Sequence, residues 1–295
     1  MRDEFVPQRN RVLDNQSLRR LLILHPSSLL HLPMNFGILV FPGTNCERDC
    51  AHVISDVLGH SAALVWHNET DLSAFDAVIL PGGFAHGDYL RTGAIARFSP
   101  VMDSVAQFAA LGKPVIGICN GFQILCEAGL LPGVLRRNRE QHFICRVNAH
   151  VRVEQNQNRF LHTANVGQIL QMPIRHGEGS YFADEETVAQ LEANDQVLLR
   201  YCDANGQVSD AANSNGSVNN IAGIRSEDGN VFGLMPHPEA ASESLLGSID
   251  GLAIFRSMTT QFGAPQPISG DGGFFNTNAD PTGNLAVGAT ATPDF

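Results

Sequence analysis

Lysine is almost absent from this sequence: Lys113 is the only one, and arginines supply the rest of the 19 basic residues without forming a run. Acidic residues number 30 and give the chain a formal net charge of −11. This balance argues against a nucleic-acid-binding protein, because phosphate backbones are bound by clustered Lys and Arg. Long hydrophobic runs are also missing, and none approaches the ~18 residues that a membrane-spanning helix needs. The sequence therefore predicts a cytoplasmic protein that has neither nucleic acid nor a membrane as a partner.

Cysteine is scarce, and the spacing of the cysteines does not indicate a metal site. The 6 cysteines among 295 residues are too few for a disulfide scaffold, and no two form the C-x-x-C pair that is typical of structural zinc sites. Cys46 and Cys50 are four residues apart and would share one face of a helix, but two further metal ligands are not evident. We therefore expect no metal site, and reduced thiols that are mostly small core residues. Cys119 differs from the others in its sequence surroundings.

Composition divides the chain into three parts. Residues 1–33 mix basic and acidic side chains without a sustained period and fit neither a secretory signal nor a transit peptide. Because Met34 directly precedes a strong strand, we expect this N-terminal extension to be disordered or a mis-assigned start. Residues 263–295 form a low-complexity tail, rich in Gly, Pro, Asn, Thr and Ala, that buries too little apolar surface to order itself. The intervening residues 34–262 are long enough for one sizeable core.

Short apolar runs alternate with helical patterns inside residues 34–262. Continuous apolar strands that alternate with helices indicate a parallel sheet with both faces covered. More alternating patterns at 143–154 and 197–224 indicate antiparallel strands. The sequence therefore predicts an α/β fold: a doubly wound, mostly parallel sheet with helices on both faces and some antiparallel edge strands. The predicted strands of the parallel part are 36–41, 62–66, 77–80, 115–118 and 231–235, and the predicted helices are 47–58, 94–111, 121–128 and 250–262.

Cys119 stands between a predicted strand and a predicted helix, in the segment Gly-Ile-Cys-Asn-Gly-Phe-Gln at 117–123. A sharp strand-to-helix turn of this kind exposes a nucleophile, and Gly117 and Gly121 leave room for the turn. The backbone dipoles at the helix N-terminus favour the thiolate of Cys119. The N–H of Asn120 would point toward an oxyanion on a bound carbonyl. The alternative is a buried core thiol at a strand end, because Cys is among the most buried residue types.

Two other strand ends carry groups that could complete a site with Cys119. The turn Pro81-Gly-Gly-Phe84 could bring a second N–H to the same oxyanion, and its paired glycines would let a peptide flip at low cost. Pro236-His-Pro-Glu239 follows the last predicted buried strand. Since residues two apart in an extended chain face the same way, His237 can face Cys119 while Glu239 orients the imidazole. At the carboxyl ends of parallel strands, this set predicts a thiolate–imidazole–carboxylate site.

Four further segments complete a pattern of motifs with the two around Cys119 and His237. They are Phe41-Pro-Gly-Thr-Asn-Cys-Glu-Arg-Asp49, Pro81-Gly-Gly-Phe-Ala-His-Gly-Asp-Tyr-Leu-Arg91, Asn138 to Arg146, and Pro173-Ile-Arg-His-Gly-Glu-Gly-Ser-Tyr181. The sequence resembles the class I (triad-type) glutamine amidotransferases, a family with a flavodoxin-like sheet. Within that family it is most similar to the glutaminase subunits of phosphoribosylformylglycinamidine synthase, a purine-pathway enzyme. The similarity runs from about Met34 to about Met258, and the two ends of the chain depart from the family pattern.

The resemblance implies hydrolysis of glutamine to glutamate and ammonia through a γ-glutamyl thioester. Cys119 is then the nucleophile, His237 the general base and acid, and Glu239 the residue that holds His237. The implied oxyanion donors are the N–H groups of Gly83 and Asn120. The residues implied as glutamine contacts are Gln123, His176, Gly177, Glu178 and Gly179.

The resemblance also implies a protein partner. An ATP-dependent synthetase subunit would receive the ammonia and convert formylglycinamide ribonucleotide to the amidine, in some members together with a small bridging subunit. The chain contains no Gly-x-x-x-x-Gly-Lys motif for a nucleotide phosphate. ATP and Mg²⁺ are therefore expected on the synthetase, and no cofactor is expected on this chain.

Two alternatives remain open for the function. A glutaminase of another amidotransferase, or a free-standing γ-glutamyl hydrolase, would share the turn at Cys119 but not the His-Gly-Glu-Gly stretch at 176–179. A non-enzymatic redox sensor would need only an acidic Cys119. Such a sensor would have no use for His237 and Glu239 at a distant strand end.

Overall fold

A nine-stranded mixed sheet and a separate two-stranded sheet organise the part of the chain that the computed structural model describes, residues 33–260. The expected N-terminal extension (apart from Pro33) and the expected tail lie outside these described residues. The strands are β1 (Asn35–Val40), β2 (Ser61–Trp66), β3 (Ala77–Leu80), β4 (Val115–Ile118), β5 (Val134–Arg136), β6 (Ile144–Val153), β7 (Ile169–His176), β8 (Ser180–Phe182), β9 (Val197–Cys202), β10 (Ile221–Arg225) and β11 (Val231–Leu234).

Five strands form the parallel part of the large sheet, in the order β2-β1-β3-β4-β11. β3, β4 and β11 are buried over their whole length. This burial follows from their uninterrupted apolar sequence, since a strand of a covered parallel sheet has no face left for water. The predicted α/β fold with a mostly parallel sheet is confirmed.

The large sheet continues beyond β11 through β10, β9, β6 and β7, each antiparallel to its neighbour. The antiparallel strands thus lie together on one side of the sheet, and the opposite edge is the parallel strand β2. The antiparallel pair β5–β8 forms the second sheet. Sequence patterns did not predict β5, β7 or β8; Pro173 inside β7 argues against a strand, because proline cannot donate to the ladder.

The described residues contain five α-helices, which agree only in part with the helices that the sequence predicts. The helix predicted over 94–111 is divided, because Pro100 has no N–H to donate and instead suits the first position of a new helix. The short helix 185–193, capped by the side chain of Asp184, was not predicted. The α-helices are α1 (Glu47–His52), which a π-helical turn at Val53–Val57 continues, α2 (Pro100–Ala110), α3 (Asn120–Glu127), α4 (Glu185–Ala193) and α5 (Leu252–Thr259).

The strand order decides which loops meet. β1, β3, β4 and β11 are neighbours and run the same way, so their carboxyl ends lie at one edge of the sheet. The segments that follow them contain four of the six motifs that the sequence singled out, at 41–49, 81–91, 117–123 and 236–239. Within residues 33–260, no helix is long and apolar enough to cross a membrane.

Candidate active site

Cys119 occupies a strained turn between β4 and α3. Its φ is 51° and its ψ is −104°, a backbone conformation that residues other than glycine rarely adopt. The turn is tight enough that a Cβ at position 121 would collide with the carbonyl oxygen of Leu80, and one at position 117 would contact the backbone of residue 121. Only glycine fits at both positions. The Cys119 side chain is 4% exposed, and its Sγ lies 3.6 Å from the carbonyl oxygen of Arg175.

His237 and Glu239 follow β11 as a buried pair. Nδ1 of His237 lies 2.5 Å from Oε1 of Glu239. The backbone N–H of His237 donates to the carbonyl of Pro173 at 2.8 Å. Burial alone would lower the pKa of His237, but the negative charges of Glu239 and Cys119 outweigh it and hold that pKa well above its ordinary value. Nε2 of His237 is buried and has no hydrogen-bond partner among the described residues. The ring therefore has one nitrogen held by a carboxylate and the other available to a reacting group.

Cys46 is a neighbour of His237 that sequence patterns did not place in the site. It follows β1, and its Sγ lies 4.0 Å from Nδ1 of His237 and 3.5 Å from Oδ1 of Asn45. Burial raises the pKa of the Cys46 thiol. Cys46, His237 and Glu239 are close enough to share a metal ion, since their ligand atoms lie within 4.8 Å of one another. A metal on Nδ1 would, however, replace the proton that joins His237 to Glu239.

The two expected oxyanion donors, Gly83 and Asn120, both belong to segments that meet at Cys119. Gly83 and Cys119 line the same cavity, and Asn120 is the first residue of α3, where a helix N–H has no partner within the helix. The Gly82 carbonyl accepts hydrogen bonds from the N–H groups of Asn45 (3.3 Å) and Cys46 (3.1 Å). The peptide that carries the Gly83 N–H is thus anchored to the β1–α1 loop. A flip of this peptide, which paired glycines would make cheap, has to break both hydrogen bonds.

A cavity of about 150 Å³ lies next to Cys119 on the side of the 176–179 loop. It brings together Cys119 and four of the five expected glutamine contacts. Gly179 does not line it; a Cβ there would collide with the ring of His176, so this glycine allows the loop to pack. The lining residues are Gly83, Phe84, Asp88, Thr92, Cys119, Gln123, Phe143, Arg175, His176, Gly177 and Glu178.

Gln123 and His176 are each held by protein groups. The Gln123 amide accepts from Nδ2 of Asn120 at 2.9 Å and donates to the carbonyl of Glu178, so it fastens the loop to α3. His176 donates from Nδ1 to Oδ1 of Asn138 at 3.0 Å. Burial, and secondarily the charge of His237, lower the pKa of His176 to about 3, so its ring is neutral. Nε2 of His176 is buried without a hydrogen-bond partner in the described part of the chain.

Several lining residues were missed by sequence reasoning although they lie in quoted motifs. Asp88 is one of them, and burial together with the nearby charge of Glu178 raises its pKa to about 6. Phe84 and Phe143, two further lining residues, stack with ring centroids 6.4 Å apart. Arg175 lines the cavity from the end of β7. The motif Gly-Asp at 87–88 was the available signal for Asp88.

Fold and site together define a class. A doubly wound sheet with a thiol on a strand-to-helix elbow, opposed by a His–Glu pair after the neighbouring parallel strand, is the arrangement of class I glutamine amidotransferases. Residues 34–252 match the model of the family described as "CobB/CobQ-like glutamine amidotransferase domain".

Comparison with relatives of known name shows to which family within this class the chain belongs. The chain is 55% identical over 223 residues to "Phosphoribosylformylglycinamidine synthase subunit PurQ" of Salinibacter ruber, which covers 76% of this chain and 94% of the relative. The same subunit of Acaryochloris marina is 54% identical, with 76% and 95% covered. A chain of the structure of PurLQS from Thermotoga maritima is 40% identical with a TM-score of 0.68, and the match covers 77% of this chain and 98% of that one. The chain belongs to the PurQ family of phosphoribosylformylglycinamidine synthase subunits, which confirms the resemblance.

Proposed function

We propose that the chain is the glutaminase subunit of a phosphoribosylformylglycinamidine synthase and supplies ammonia for de novo purine biosynthesis. Relatives bearing that subunit's name match it over 94% and 95% of their own length. The single observation that carries the chemistry is that the elbow thiol of Cys119 lines one cavity with His237, whose Nδ1 lies 2.5 Å from Oε1 of the buried Glu239. A redox sensor would have no need of this pair.

The reaction proceeds in two halves at Cys119. His237 holds the proton taken from the thiol, and the thiolate Sγ attacks the side-chain amide carbon of glutamine; the C–N bond breaks as His237 gives that proton to nitrogen, and ammonia leaves. Water, deprotonated by His237, then attacks the γ-glutamyl thioester, which releases glutamate and restores the thiolate beside the protonated His237. Glu239 stabilises the imidazolium in both halves. The N–H groups of Gly83 and Asn120 bind the oxyanion of each tetrahedral intermediate.

The ammonia passes to a synthetase subunit that converts formylglycinamide ribonucleotide to the amidine. The similar solved chain comes from a structure named PurLQS, which supports a synthetase and a third subunit as partners. ATP and Mg²⁺ bind the synthetase in this proposal, and this chain binds neither. Its six cysteines are free, as suits the reducing cytoplasm in which we place the reaction.

Replacing the nucleophile tests the proposal. Cys119→Ala should lower glutamine-dependent synthesis by more than about 10³-fold, because the thioester forms on the Sγ of Cys119. Synthesis driven by added ammonium should persist, since the synthetase is untouched. Both rates are measured on the complex with the synthetase.

Cys145→Ala is the matched control, because this cysteine is exposed on β6. It should leave both rates unchanged. Glutaminase activity that survives Cys119→Ala would overturn the assignment of the nucleophile.

A further inference from the structure

Two carboxylates face the cavity beside Cys119 and are not explained by the chemistry at the thiol. Asp88 and Glu178 both line this cavity of about 150 Å³. Oε2 of Glu178 accepts a hydrogen bond from the Thr92 hydroxyl at 3.1 Å, and Oδ1 of Asp88 accepts one from Nδ2 of Asn120 at 3.4 Å. These bonds fix both side chains at the wall of the cavity.

Cationic partners for the two carboxylates are few. Among residues 33–260, Asp88 forms no ion pair, and Glu178 has only the exposed Arg137, whose Nε lies 3.7 Å from Oε1. Burial and the charge of Glu178 raise the pKa of Asp88 to about 6, as expected for a carboxylate that lies near another carboxylate and forms no ion pair of its own. Carboxylates whose pKa is shifted by burial and a neighbouring charge cluster at binding and catalytic sites.

His176 is an independent sign of a missing ligand in the same cavity. It lines the cavity and is 3% exposed, and its Nε2 has no partner. Because Nδ1 donates to Asn138, Nε2 is an acceptor, and a buried acceptor without a donor indicates that a bound molecule provides one. Beside the positive charge of Arg175, the cavity thus offers acceptors and two carboxylates to a ligand that carries N–H donors and a positive charge.

We propose that Asp88 and Glu178 bind the α-ammonium group of glutamine while its side-chain amide lies at Cys119. The inference rests on the proposed glutaminase function and adds to it the group by which the substrate is selected: a free amino acid is accepted, and an amide without an α-ammonium is not. Asp88 and Glu178 are therefore specificity residues. They take no part in bond making at the thiol.

The distinguishing experiment compares two substrates on the complex with the synthetase: glutamine, and glutaramate, which is glutamine without its α-amino group. Asp88→Asn and Glu178→Gln keep the size of each side chain and remove its charge. Each should raise the KM for glutamine roughly 10- to 100-fold, the worth of a hydrogen bond to a charged group, with little change in kcat. The kcat/KM for glutaramate should stay within about twofold.

Protonation of Asp88 supplies a second measurement. The KM of the unmodified protein for glutamine should rise as the pH falls through about 6, and Asp88→Asn should lack this rise. His176 is already neutral there, with a pKa of about 3, and does not titrate in this range. The other titratable or charged groups around the cavity are Cys119, Arg137, Arg175, Glu178 and, next to Cys119, His237.

The control is Asp71→Asn, which changes an exposed aspartate outside the cavity. It should leave the KM and kcat for both substrates unchanged. An equal loss of kcat/KM for glutamine and for glutaramate would show that Asp88 acts only through Asn120. An unchanged KM for glutamine would show that the ammonium group binds elsewhere. Either result overturns the inference. If Asp88→Asn does not fold, Glu178→Gln carries the test. The proposed function would still stand in each case, because it depends on Cys119→Ala.

Discussion

At the scale of single residues, the pairing of His237 with Glu239 decides the charge of the site. Both side chains are buried, at 2% exposure each. Burial would keep the imidazole neutral, yet the carboxylate at 2.5 Å stabilises the charged ring enough to raise the pKa of His237 well above its usual value. Removing one member of such a pair leaves the other uncompensated.

Glu239→Gln should therefore lower the pKa of His237 and lower kcat for glutamine about 10²- to 10⁴-fold. The limb of the pH–rate profile that reports His237 should move to lower pH, because the imidazolium loses its partner charge. Steady-state glutaminase kinetics across the pH range measure both effects. Glu243→Gln is the control, since Glu243 only pairs with His52 at the surface. A variant at position 239 with the original rate and profile would contradict the role.

At the scale of elements, the nucleophile depends on how closely α3 approaches β3 and β4. Glycine at positions 117 and 121 allows that approach, since a Cβ at 121 would collide with the carbonyl oxygen of Leu80. The Cys119 N–H donates to the carbonyl of Leu234 at 2.8 Å, which ties the turn to β11 as well. The strained φ of Cys119 persists because these contacts over-determine it.

Gly121→Ala should destabilise the protein by about 1–3 kcal/mol or more, because the added methyl group has to displace backbone atoms. Urea denaturation measures the free energy of unfolding. The control is Gly59→Asn: Gly59 has φ +73° and open space around it, and asparagine tolerates the left-handed region. The free energy of unfolding of Gly59→Asn should stay within about 0.5 kcal/mol of that of the parent. Equal stability of Gly121→Ala and the parent would show that α3 is not held against β3 in this way.

At the scale of the whole molecule, strand order assembles the site from distant segments. Cys46, Gly83, Cys119 and His237 follow β1, β3, β4 and β11, which are consecutive neighbours in the sheet. Parallel strands place all four loops at the same edge. Antiparallel β7 adds the 176–179 loop and Arg175 from beyond β11.

A chain trimmed to residues 34–262 should keep its unfolding transition and its glutamine-dependent activity. The removed segments, 1–33 and 263–295, have no periodic apolar face with which to pack on the core. Thermal unfolding and assays with the synthetase, compared with the full chain, measure the outcome. A cooperative loss of stability after removal of either segment would show that it packs on the domain.

Much of the site could be predicted because its signals are local. The turn at Cys119 needs a strand, small residues and a helix within seven positions. His237 is extended before proline as predicted, but Glu239 lies in a 3₁₀ helix, Pro238–Ala241, and not in an extended chain. The strands β3, β4 and β11 were predictable because full burial demands continuous apolar sequence. The 94–111 helix was mispredicted because Pro100 restarts the helix within an apolar pattern that runs through it.

The sequence by itself determined the strands of the parallel part and the strand-to-helix turn at Cys119. It also indicated the nucleophile Cys119 and the pair His237 and Glu239, since each of these signals depends on neighbours along the chain. Only the tertiary structure decided that Cys46 lies 4.0 Å from His237, and that Asp88 and Glu178 face one cavity. It also decided that the Gly82 carbonyl is held by the β1–α1 loop. These contacts join segments that are distant in sequence, and the order and register of the strands between them fix their separation. No local periodicity encodes that order, because it is the balance of all the packing contacts in the sheet.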